Sequence, residues 1–138
     1  MKNTIFVDTS GFYALLIKQD DKHEEAKATL MRASQEKHQF ITTDYILDET
    51  ITLLHSRGHG HLLASFLETI FSSRACTVVW VEQERFLKTR SFFLRHSDHN
   101  WSFTDCVSFV VMKELKLTSA LTKDKHFQEA GFISLLSS

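Results

Sequence analysis

Thr4-Ile5-Phe6-Val7-Asp8-Thr9-Ser10-Gly11 decides the fold class. Four residues, three of them large and apolar, run without a polar break and stop at a carboxylate. A strand buried on both faces reads this way, whereas a half-buried strand would alternate. From Gly11 to Lys18 the apolar residues take helical spacing. One strand followed at once by one helix is the opening unit of a parallel α/β sheet.

The same unit recurs outward from this stretch. Asp21-Lys22-His23-Glu24 has the form of a capping box and predicts a second helix through Ala26, Leu30 and Met31. Phe40-Ile41-Thr42 reads as a short strand. Asp44 is placed to cap a third helix, from about Tyr45 to Ser56, with Gly58 and Gly60 at its exit. A fourth helix is expected over His61 to Phe71 and a β-branched, aromatic strand over Thr77 to Val81. Glu84 to Arg95 is helical, Ser97 to Ser102 a polar loop, and Thr104 to Leu115 a long apolar-striped helix. Ser119 to Thr122 predicts a strand, Phe127 a short helix, and Phe132 to Leu135 a last strand. Strands alternating with helices predict an α/β fold, a parallel sheet with helices on both faces.

With 138 residues, no proline, four glycines and no linker-like or repeated tract, the chain is expected to be one domain, residues 1–138. Hydrophobic residues make up 43% and include twelve phenylalanines, enough for a substantial core. No apolar run approaches a membrane span, and Met1 to Asp8 is too short for a signal peptide, so the expected location is the cytoplasm. Cys76 and Cys106 each sit in an apolar context and read as small buried hydrophobes, not a disulfide. The net charge of -1 supplies no global basic field. A nucleic-acid partner would need a local patch or bound cations.

Four acids stand out by position. Asp8 ends the first strand, Asp124 follows the strand at Ala120-Leu121-Thr122, Asp105 lies in the first turn of its helix, and Glu49 lies within the third helix. In open α/β sheets the working crevice lies beyond the carboxyl ends of the strands. On the third helix Ile46, Leu47, Ile51, Leu53 and Leu54 form the apolar arc. Glu49 falls roughly 40° outside one edge and Asp48 roughly 60° outside the other, so Glu49 is the better placed of the two to reach a crevice. Clustered carboxylates repel one another unless a hard cation joins them. Mg²⁺ or Mn²⁺ prefers such oxygen ligands, and a bound ion can polarise a phosphodiester and activate water. Singly, each acid has an ordinary explanation as a helix cap, turn residue or solvated side chain.

As a set, Ile5-Phe6-Val7-Asp8-Thr9-Ser10, Thr43-Asp44-Tyr45-Ile46-Leu47-Asp48-Glu49-Thr50, Ser102-Phe103-Thr104-Asp105-Cys106 and Leu121-Thr122-Lys123-Asp124-Lys125-His126-Phe127 resemble the PIN-domain family, and within it the VapC-like toxin ribonucleases. Order and spacing agree across essentially the whole chain. The resemblance implies a three-layer α/β/α sandwich with a five-stranded, mostly parallel sheet. It implies a Mg²⁺- or Mn²⁺-dependent endoribonuclease, a hydrolase of RNA phosphodiester bonds and the toxin of a toxin–antitoxin pair. Asp8, Glu49, Asp105 and Asp124 match the family's catalytic, metal-binding acids, with the hydroxyls of Thr9, Ser10 and Thr104 as supporting groups. A small cognate antitoxin and a homodimer are the implied protein partners, beside the RNA substrate. Lys123 and Lys125 flank the fourth acid and are the candidate contacts to substrate phosphate; Lys123 could equally pair with Asp124.

Other candidates are weaker. Arg57, Lys88, Arg90, Arg95, Lys113 and Lys116 complete the pool of phosphate-binding cations, most of them expected to be plain surface. Trp101 and Phe103 suit either base stacking or the core, with the core favoured. His55, His59 and His61 match no zinc spacing, nor do His96 and His99; Asp98 is a loop acid. An Asp-based phosphatase is disfavoured because Ser10 stands where a second acid is wanted, and a phosphoacceptor domain because Asp8 has no adjacent acid. A non-catalytic PIN-like RNA- or metal-binding module stays open.

Overall fold

The computed structural model describes residues 3–136. Met1 and Lys2, which begin the apolar N-terminal stretch, fall outside them. Five strands form one parallel sheet: β1 (Thr4–Val7), β2 (Gln39–Thr43), β3 (Cys76–Val79), β4 (Ser119–Leu121) and β5 (Ile133–Ser134), in the spatial order β3-β2-β1-β4-β5. Seven helices connect them: α1 (Thr9–Leu16), α2 (His23–Gln35), α3 (Asp44–Ser56), α4 (Leu63–Ser72), α5 (Gln83–Arg95), α6 (Phe103–Glu114) and α7 (Lys125–Glu129). A single 3-10 turn at Gly60–Leu62 leads into α4.

The chain runs outward from β1 to β3, crosses to the other side of β1 for β4, and ends at β5. Right-handed crossovers in opposite directions put α1–α4 on one face and α5–α7 on the other. The point where the direction reverses lies between β1 and β4. This is where an open α/β sheet leaves a crevice beyond its strand ends.

Burial follows the strand order. β1 is buried throughout, as its unbroken apolar run predicted, whereas β3, at the edge, is half-exposed. Seven consecutive residues of α6, Cys106 to Met112, are buried, so this helix is core on all sides. Phe109 meets Phe127 edge-on with ring centroids 5.0 Å apart, pinning α7 to α6. Both cysteines are free, and burial lifts each thiol to about 11, which keeps them inert.

Gly11 is required by contact. A Cβ there would overlap the carbonyl oxygen of Leu121, so the first turn of α1 can press against the end of β4 only with glycine at this position. Two expected caps are corrected. The Asp21 box does not form: α2 starts after Lys22 without a side-chain cap, and the Lys22 N–H is taken by Asp20 Oδ2 at 3.0 Å. On α3 the cap is Thr43, whose hydroxyl accepts from the Ile46 N–H at 3.1 Å. Asp44 instead reaches the Val81 N–H at 3.0 Å, holding the loop after β3.

Candidate active site

A cleft of about 520 Å³ opens at the carboxyl ends of β1 and β4, and Asp8, Glu49, Asp105 and Asp124 all line it. The four acids expected to act together therefore share one pocket, although β1, α3, α6 and α7 carry them from far-separated parts of the chain.

Asp8 is fixed by its neighbours. It ends β1 and caps α1, with Oδ1 accepting from the Gly11 N–H at 3.0 Å and the Ser10 hydroxyl at 2.8 Å. The Thr122 hydroxyl donates to Oδ2 at 2.9 Å. Only 5% of the residue is exposed. Burial pushes the carboxyl up to about 7; the bonds from Gly11, Ser10 and Thr122 oppose the rise, and nearby Asp124 adds to it. Ser10 and Thr122 also brace the other strand end. The Ser10 hydroxyl accepts from the Lys123 N–H at 3.0 Å, and the Thr122 hydroxyl accepts from the Asp124 N–H at 2.9 Å.

Asp105 is held by a reciprocal cap. The Ser102 hydroxyl accepts from the Asp105 N–H at 2.9 Å, and Asp105 Oδ2 accepts from the Ser102 N–H at 3.1 Å. Its carboxyl titrates above the usual range, chiefly through burial. The Ser102 N–H opposes that rise, Asp124 reinforces it, and His126 counters it. Asp124 caps α7 through the His126 N–H at 2.9 Å. His126 Nδ1 stands 3.0 Å from Asp105 Oδ2 and 3.3 Å from Asp124 Oδ1, between the two acids. Glu49 projects from an exposed position on α3 and forms the facing wall.

The donors suit a hard divalent cation. Ligand atoms of Asp105, Asp124 and His126 lie within 4.8 Å of one another, and among the described residues buried Asp8 has no cationic partner. A group whose burial opposes its own charge gains most from a cation brought close.

The supporting hydroxyls divide. Ser10 binds Asp8 directly. The Thr9 hydroxyl lies 3.3 Å from that of fully buried Thr50, which donates to the Ile46 carbonyl at 2.7 Å, so this pair couples α1 to α3. Among the described residues Thr104 makes no side-chain bond to an acid; the Asp105 carboxylate is held instead by the backbone N–H of Ser102, two positions earlier. Lys123 is corrected: Nζ pairs with Asp20 at 2.8 Å and Asp21 at 2.9 Å rather than with Asp124. Lys125 is exposed and outside the cleft lining.

Of the other cations, Arg57 lines the cleft, while Lys88 pairs with Glu114 and Lys113 lies over Phe92. Trp101 is core: it is buried, stacks on His99 at 3.9 Å between ring centroids and donates to Glu129 at 3.0 Å. Phe103 packs against Tyr45, Phe86 and Phe93. The groups sequence reasoning missed are Thr122, Ser102 and His126. All three carried a signal, each standing two or three residues from an acid.

Comparison with known proteins agrees with this architecture. The chain is 32% identical over 131 residues to the 23S rRNA-specific endonuclease VapC20 of Mycobacterium tuberculosis, covering 95% of this chain and 97% of that protein. It is 32% identical over 114 residues to a VapC ribonuclease of Archaeoglobus fulgidus, covering 80% and 71% respectively. The crystal structure of M. tuberculosis VapC20, a toxin that cleaves the sarcin–ricin loop, superposes with a TM-score of 0.82 at 33% identity over 96% of this chain and 99% of that one. FitAcB from Neisseria gonorrhoeae, at 16% identity, shares the fold with a TM-score of 0.64 over 94% of each chain. The PIN domain profile matches residues 5–133, and the chain belongs to the PIN domain family.

Proposed function

We propose that the chain is a metal-dependent endoribonuclease of the VapC toxin type, acting as a single domain. The observation that carries this reading is the convergence of Asp8, Glu49, Asp105 and Asp124 on one cleft at the reversal point of the sheet. Asp8, Glu49, Asp105 and Asp124 hold Mg²⁺ or Mn²⁺, because all four offer hard oxygen ligands. When bound, the ion supplies charge neutralisation at the phosphodiester and an acidified water. The chain's own residues do the positioning. Ser10, Gly11 and Thr122 fix the Asp8 carboxylate, and Ser102 and His126 fix that of Asp105.

The substrate class is RNA, with 23S rRNA the first to try given the specificity of VapC20. A small antitoxin and a second copy of the chain are the protein partners proposed, and the cytoplasm the location. Among the described residues no helix is long and apolar enough to cross a membrane.

The test is RNA cleavage with Mg²⁺ or Mn²⁺ by the wild type, Asp8→Asn and Asp105→Asn, with circular dichroism to check folding. Cleavage by the wild type alone is expected. Equal cleavage by folded variants overturns the site. Metal binding without cleavage of any RNA, or phosphate release from a small phosphomonoester instead, overturns the activity.

A further inference from the structure

We propose that Arg57, seated over the ring of Tyr13, is the cleft's phosphate anchor and grips the RNA backbone at a phosphate beside the one that is cut. The inference rests on the endoribonuclease reading and deepens it.

The cleft presents a problem to a polyanion. Asp8, Asp20, Glu49, Asp105 and Asp124 all line it, so a substrate backbone meets mostly negative charge. Three cationic or titratable basic groups share the lining: Arg57, Lys123 and His126. Lys123 is occupied, with Nζ 2.8 and 3.1 Å from the two Asp20 oxygens and 2.9 Å from Asp21. His126 is engaged by Asp105 and Asp124. Arg57 makes no ion pair among the described residues.

What Arg57 has instead is an aromatic support. Its guanidinium carbon lies 5.1 Å from the centroid of Tyr13, a residue of the same cleft. His59 meets that ring edge-on, with centroids 6.1 Å apart and planes at 75°. A guanidinium seated over a ring makes no hydrogen bond to it, so its N–H groups stay available for a phosphate, which they can bind in bidentate fashion. A pre-seated fork also loses less freedom on binding than a free one.

Position on α3 says which phosphate. Arg57 caps the C-terminus of the helix that carries Glu49, eight residues on, or about 12 Å along the axis. Tyr13 likewise stands five residues beyond Asp8, so the guanidinium sits toward the end of the cleft away from these acids and is placed for a phosphate flanking the scissile one. Arg57 therefore binds substrate and transition state alike, and its loss raises KM more than it lowers kcat.

The experiment measures binding of a fluorescein-labelled, mixed-sequence single-stranded RNA by fluorescence anisotropy across a salt series at fixed Mg²⁺, in an Asp8→Asn background, with steady-state cleavage measured in the wild-type background. Arg57→Ala is expected to weaken binding roughly tenfold, as for loss of a charged hydrogen bond. The slope of log affinity against log salt should become shallower by about 0.7. Tyr13→Leu, which removes the aromatic support, should move partway toward Arg57→Ala. Arg90→Ala, which removes an exposed cation outside the cleft, should change neither affinity nor slope. Unchanged affinity and slope in Arg57→Ala overturn the anchor, as does an equal effect of Arg90→Ala. A fall in kcat with KM unchanged overturns the assignment to a neighbouring phosphate. No cleavage by the wild type under any metal counts against the endoribonuclease reading itself, whatever the variants do.

Discussion

The Thr122 hydroxyl donates to Asp8 Oδ2 across 2.9 Å, joining two residues 114 positions apart in the chain. Both are buried, so neither has water to fall back on. Thr122→Val keeps the shape and removes the donor and the acceptor. Loss of this buried, charge-assisted bond should cost about 1–3 kcal/mol, read by urea denaturation at pH 8. The Asp8 carboxyl should also titrate higher, measurable by carbon-detected NMR. An unchanged stability and titration would show that the bond does not hold the carboxylate.

Stability should depend on pH through Asp8. With an ordinary value of 3.8 in the unfolded chain and about 7 in the fold, Asp8 is protonated in the native state while the unfolded state has already released its proton. Between those values the folded state binds more protons, so stability falls as pH rises, by at most about 4 kcal/mol over the whole window. Asp105, also raised, acts in the same direction. Denaturation without metal from about pH 4.5 to about pH 7.5, set points that cover most of the window, should show this decline. Asp8→Asn should flatten it, and added Mg²⁺ should oppose it. A slope unaffected by Asp8→Asn would assign it to other groups.

Gly11→Ala should be poorly tolerated. The added methyl overlaps the Leu121 carbonyl, backbone that gives way only if α1 moves off β4. A loss of about 1–3 kcal/mol is expected, typical of overpacking, and would appear as a lowered melting temperature. A neutral or stabilising result, as for an ordinary helical glycine, would show that the two elements are not in tight contact.

Lys123→Met should loosen the α1–α2 connection. Lys123 joins Asp20 and Asp21 to the β4–α7 loop, and the Asp20 side chain is only 8% exposed. Partly buried pairs outlast surface ones because removing one partner strands the other. Amide exchange should quicken over residues 18–22 while β1 stays protected. Equal protection in variant and wild type would reduce the pair to a surface contact.

The alternation of strand and helix was legible because apolar periodicity is local, and Ile5-Phe6-Val7 shows it within three residues. Which side chain caps a helix was less so. Thr43 and Asp44 are both good caps, and the choice follows from the extended backbone at Thr43, φ -125° and ψ 163°. The acids could be ordered along the sequence, but their support could not. Thr122 reads as the last residue of a strand until β4 is laid against β1, and Lys123 as a neighbour of Asp124 until Asp20 comes within 2.8 Å. Arg57 was one cation among many; its place in the cleft, where Lys123 and His126 are already engaged, isolates it.

Placing β4 against β1 also has a consequence in time. The two strand ends that build the cleft are made at different times. A nascent chain that already carries Asp8 lacks Thr122 until 114 further residues have been added, so the buried carboxyl waits that long for its hydroxyl donor and for Asp124 beside it.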